Sequence, residues 1–224
     1  MALLADLQRV FENTYGREAG VDLEACLVGR ARCAELAARS GTEGEELSHW
    51  ARFFYYTEER NLRVAIFYAD DVIHALEARD PRRVLTESNV LPFLVFGEEL
   101  SHALHTTMAF ADGGASRVLE PRFLDELELL GRIDAYLLLR HFVARHARRF
   151  TSRDRAWVRH HAVTRWDVPY LDPALAGRYR PAARLAARFV DHLEHLDPGA
   201  RLSEIRSLAR LDWAGKQRHI ARLN

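Results

Sequence analysis

Apolar positions recur along this chain with two different periods, and the change of period outlines the fold. Leu3, Leu4, Leu7, Val10 and Phe11 follow helical spacing, and a second helix is expected from Asp22 to Arg39. Ser40-Gly41-Thr42 and Gly44 then punctuate the chain. The runs Ala51 to Thr57 and Leu62 to Tyr68 are rich in aromatic and β-branched residues. Leu62, Val64, Ile66 and Tyr68 alternate onto one face, so the pattern predicts a β-hairpin turning over Glu58 to Asn61. A single helix over 45–79 is the competing reading. From Asp70 onward the period is helical again, with helices expected near 70–79, 89–112, 121–148, 152–165, 181–196 and 203–222. Boundary residues agree: Ser88 or Asn89 as a cap, Gly113-Gly114 as a stop, Pro121 as an opening, and Thr151 with Asp154 as a capping arrangement.

These elements predict an α+β, mainly α fold: one helical domain spanning residues 1–224 with a small hairpin. The chain has 224 residues, enough to bury a sizeable core. With 48% hydrophobic residues and equal numbers of acidic and basic groups, it lacks the composition of a disordered chain. Cys26 and Cys33 are the two thiols, placed in one expected helical stretch, too few for a zinc cluster and not spaced as a redox pair. The start, Met1 to Val10, is broken by Asp6 and Arg9, and the longest uncharged apolar run is Val90 to Gly97. Neither a secretion signal nor a membrane span is expected, and free thiols fit a cytoplasmic protein.

The zero net charge conceals an asymmetry. Residues 1–139 carry 14 Arg against 24 Asp and Glu, whereas residues 140–224 carry 17 Arg and Lys216 against 8 acids. Such a basic half can bind nucleic acid or another anionic partner, and Arg and aromatic residues mix loosely around Trp157 in the segment Arg145 to Trp166. The alternative is that the two halves pack together and their fields cancel. An oligomer is compatible with either.

Candidate chemistry concentrates between Leu91 and Phe110. At about 100° per residue, Leu91, Leu94, Val95, Glu98, His102 and His105 share one stripe of a helix that is apolar around most of its circumference. Glu98 and His102 therefore point inward, where an ionised group needs a partner. The next helix offers Asp134 among Leu127, Leu130, Leu137 and Leu138, with Glu126 and Glu128 near its start. Sequential helices on a short loop pack antiparallel, which would bring His102 and Asp134 together, and Gly97 and Gly131 would allow close approach.

The run Glu98-Glu99-Leu100-Ser101-His102 resembles the HExxH helix of zincin-like metallopeptidases, with Glu in place of the first His. The resemblance implies Glu98 and His102 as metal ligands and Glu99 as the catalytic general base. It implies a third ligand among His105, Glu126, Glu128 and Asp134, and a divalent metal, Zn, or Mn or Fe given the extra carboxylate. A metal there lowers the pKa of a water toward ~7 for attack on a carbonyl, the chemistry of a hydrolase whose substrate is unknown. A second resemblance is to ferritin-like di-iron bundles: Glu46-x-x-His49 and Glu99-x-x-His102 have their spacing, with Asp70 or Asp71 between, provided 45–79 is helical. The stretches Glu98 to His102 and Glu126 to Tyr136, with the helix after Arg178, are also similar to a group of bacterial proteins, a likeness that implies no activity. The non-catalytic alternative is a buried hydrogen-bonded network of Glu98, His102 and Asp134 joining two helices.

Overall fold

The computed structural model describes residues 2–40, 50–58, 60–164 and 173–223. Its helices are α1 (Ala2–Tyr15), α2 (Arg30–Ser40), α3 (Asp70–Ala78), α4 (Val90–Val118), α5 (Phe123–His146), α6 (Ser152–Ala162), α7 (Pro173–His195), α8 (Pro198–Ala209) and α9 (Trp213–Ala221). The strands β1 (Ala51–Glu58) and β2 (Asn61–Tyr68) pair antiparallel, Ala51 opposite Tyr68 and Glu58 opposite Asn61. The α+β, mainly α reading therefore holds, hairpin included. Among the described residues no helix is long and apolar enough to cross a membrane.

One apolar cluster runs from Leu3 to Ile220, so the acidic and basic parts of the chain share a core. At its centre are α4 and α5, packed antiparallel. Gly97 and Gly131 make the close approach: a Cβ on Gly97 would lie 2.6 Å from Leu138 Cδ1. The hairpin lies across α4 with the Phe53/Tyr55 face of β1 toward it. The Tyr55 hydroxyl donates to the Val118 carbonyl (3.1 Å), and the Tyr68 hydroxyl to that of Phe96 (2.8 Å). On the opposite face, Arg30 and Arg39 of α2 sit over Phe67 and Tyr56.

Four expectations need correction. Asp22–Arg39 is not one helix: a 3-10 turn (Leu23–Cys26) leads into an extended residue, Leu27, that bridges to Ile66 of β2, and only then does α2 begin. Cys26 and Cys33 thus lie on separate elements. The region 203–222 is α8 and α9, separated where the Asp212 side chain accepts from Gly215 N and caps the second. At Gly113-Gly114 the helical trace kinks rather than stops, Gly114 adopting φ 63° before one further turn to Val118. The strands at 51–68 occupy the place where di-iron ligation needs a continuous helix. Asp70 and Asp71 are exposed at the start of α3, and Glu46 and His49 lie outside the described residues.

Trp157 and His161, in the basic segment Arg145 to Trp166, both meet one carboxylate. The Trp157 indole N–H donates to Glu87 Oε1 (2.8 Å), and His161 Nε2 lies 2.9 Å from the same atom. They tie α6 to the turn before α4. The Thr151/Asp154 capping box is present at the start of α6.

Candidate metal centre

Helical geometry decides which acidic groups meet. On α4, Glu98 and His102 are four residues apart, roughly 40° around the axis, and project from one flank of the α4/α5 contact. On α5, Glu128 and Asp134 are six residues apart, roughly 120° around the axis, and cannot face the same space. The structure brings Glu98, His102 and Glu128 together and places Asp134 with His105 on the opposite flank.

One donor atom from each of Glu98, His102 and Glu128 lies within 4.8 Å of the other two. His102 is 9% exposed, and its Nε2 and Glu128 Oε2 are buried with no hydrogen-bond partner. A buried polar atom without a partner costs about 1–3 kcal/mol, and two such atoms belong to this one group. Metal–nitrogen and metal–oxygen bonds of about 2.1 Å in a tetrahedral site put donor atoms about 3.4 Å apart, so the group would have to close by an ångström or more at its widest. Gly131 supplies the space: a Cβ there would stand 2.9 Å from His102 Nε2 and 3.3 Å from Glu98 Cγ.

The surroundings fix the imidazole and its charge. Glu99 Oε2 lies 3.8 Å from His102 Nδ1, and the Phe53 ring centroid 6.3 Å from that of the imidazole, so Nδ1 faces a carboxylate and Nε2 faces Gly131. Burial works against the charged form of His102, but Glu99, Glu128 and Glu98 outweigh it and hold the pKa up at about 9. Burial pushes the Glu128 carboxyl up to about 7, with Glu98 and Glu99 adding to the rise and His102 and Arg132 opposing it. Arg132 Nε stands 3.9 Å from Glu98 Oε1. Two or three carboxylates crowding one imidazole in a dry site is a donor set suited to a borderline or hard divalent cation.

The remaining candidates have other partners. Asp134 is fully buried and accepts from the Tyr15 hydroxyl (2.5 Å), the Ser101 hydroxyl (2.6 Å) and His105 Nε2 (2.8 Å). The expected convergence of His102 with Asp134 is therefore corrected: it is His105 that reaches Asp134. Glu126 is taken by Arg117, whose Nη2 lies 2.6 and 2.7 Å from its two oxygens, and by the buried Lys216 (2.7 Å).

Sequence reasoning missed Arg132 and Tyr15. Arg132 was legible in principle, four residues after Glu128 on the same stripe. Tyr15 was not, since 119 residues separate it from its carboxylate. No family model, curated protein or solved structure matches this chain.

Proposed function

We propose that the protein is a metal-dependent hydrolase with a mononuclear centre held by Glu98, His102 and Glu128. The observation that carries this reading is the pair of partnerless buried atoms, His102 Nε2 and Glu128 Oε2, in one cluster with Glu98 beside Gly131. A divalent ion bound there supplies Lewis acidity toward a carbonyl. Glu99 orients the imidazole through Nδ1, and its Oε1 carries no hydrogen bond among the described residues, which leaves it able to take a proton from an attacking water. Phe53 and the flanking hairpin exclude bulk water from the imidazole side.

Elemental analysis of untagged protein purified without chelator tests this reading. The expected result is about one Mn, Fe or Zn per chain, the stoichiometry of a mononuclear three-ligand centre with one position open. It should be lost in His102→Ala and Glu128→Gln, and retained in Glu99→Ala with hydrolysis of ester or peptide substrates abolished. Metal absent from the wild type even after Mn, Fe and Zn are offered back would overturn the proposal and leave a buried His–carboxylate network.

A further inference from the structure

On the other flank of α4 and α5, a cleft opens between the C-terminal ends of α1 and α8, with Tyr15 and His105 at its floor. Met108, Ala109 and Leu130 contribute apolar wall, and four arginines, Arg17, Arg117, Arg206 and Arg210, line it against two acids, Asp112 and Glu126. We propose that this cleft is a second ligand site, separate from the metal centre, which takes a small oxyanion: a phosphate or carboxylate group.

The argument rests on how the acceptors around the cleft are already engaged. Asp134, behind the floor, receives three hydrogen bonds and is sealed from solvent. Asp112 is held by Arg17 through both oxygens (2.6 and 2.8 Å), and Glu126 by Arg117 and Lys216. Arg117 also meets Glu120 (2.9 Å). The carbonyl ends of two helices, which would repel an anion, are capped by cations. Arg206 donates to the Thr14 and Asn13 carbonyls of α1 (2.8 and 2.9 Å), and Lys216 to those of Ala209 and Leu211 after α8.

Two guanidinium groups remain without an anion. Arg206 and Arg210 have no carboxylate within 4 Å among the described residues. Arg206 is fixed by its carbonyl bonds and packs against Gly16, whose φ of 66° suits a residue without a side chain. Arg210, at the end of α8, is exposed, and its side chain makes no hydrogen bond among the described residues. On the floor, His105 has committed Nε2 to Asp134, and its Nδ1 has no hydrogen-bond partner among the described residues. A guanidinium fork matches the paired oxygens of phosphate and carboxylate alike.

The test is titration of the full chain with inorganic phosphate and, separately, with succinate, followed by calorimetry and by the His105 ring signals in NMR. The expected result is saturable binding of at least one anion, with His105 shifts, weakened tenfold or more in Arg210→Glu and unchanged in Glu98→Gln. That last variant separates this site from the metal centre, so either reading can fail alone. Binding of phosphate but not succinate would assign a phosphoryl ligand, and the reverse a carboxylate ligand. Saturation by neither, or saturation indifferent to Arg210→Glu, would overturn the proposal. The Arg210 side chain is exposed and makes no hydrogen bond among the described residues, so its substitution leaves folding intact.

Discussion

Gly131 lies directly beneath the imidazole of His102, close enough that a methyl group in its place would meet Nε2 at 2.9 Å. Two consequences separate a metal centre from ordinary packing. Gly131→Ala should displace the imidazole, cost about 1–3 kcal/mol by overpacking, and reduce metal content by an order of magnitude. Gly97→Ala, which would strike Leu138 instead, should cost a similar amount while leaving metal content near wild type. Thermal melting beside elemental analysis of the two variants reads both effects.

The charge state of the centre makes stability depend on pH. His102 is held at about 9, above the ~6.5 of an unfolded histidine, and Glu128 at about 7, above the ~4.3 of an unfolded glutamate. Both groups bind protons more tightly in the folded chain. The stability contributed by Glu128 is complete below about pH 4.3 and lost as pH rises through 7; that of His102 is complete below about 6.5 and lost through 9. Metal-free protein should therefore lose stability on the order of 5 kcal/mol between pH 5 and 9, measured by urea unfolding in chelator. The slope should flatten in the Glu128→Gln/His102→Gln double variant. Metal binding displaces the same protons, so apparent metal affinity should climb about tenfold or more from pH 6 to 8.

Asp134 draws α1, α4 and α5 together through Tyr15, Ser101 and His105. Tyr15→Phe removes one of three donors and should cost about 1–2 kcal/mol. Asp134→Ala strands all three in a dry interior and should cost about 3–5 kcal/mol. Neither should lower the metal content of the folded fraction, because the network lies on the opposite flank from Glu128. Urea midpoints and metal analysis together check this; loss of metal in Tyr15→Phe would contradict the separation.

Much of this was readable from local patterns. The hairpin followed from aromatic and β-branched alternation, and the inward aim of Glu98 and His102 from a helix that is apolar nearly all round. The pairing of His with carboxylates was not. Glu128 and Asp134 both sit among leucines on α5, and only their angular offset, combined with the side of α4 each one meets, assigns one to His102 and the other to His105. Tyr15 on Asp134 depends on how α1 docks, which no local signal encodes. The break at Leu211 and Asp212 was obscured because apolar spacing continues across it, and the cap becomes evident only when Gly215 N is seen donating to Asp212.

Lys216 is buried between Glu126, Arg117 and the end of α8, with burial pulling its pKa down and Glu126 opposing that. Lys216→Met should cost about 2–4 kcal/mol, less than a full buried-pair break because Arg117 still holds Glu126. Adding Glu126→Leu should not recover the loss, since Arg117 would then lack its buried partner. Denaturant unfolding of the single and double variants measures both steps.

Lys216 is also the one lysine in the sequence, every other basic side chain apart from histidine being an arginine. With that ammonium sealed inside, the folded surface offers no ε-amine at all. Amine-directed cross-linkers, acylating dyes and lysine-coupled surfaces will find no side chain to attack until α9 lifts away. The rate at which position 216 becomes acylated is thus a built-in clock for the opening of the C-terminal helices, read from a single residue with no label introduced.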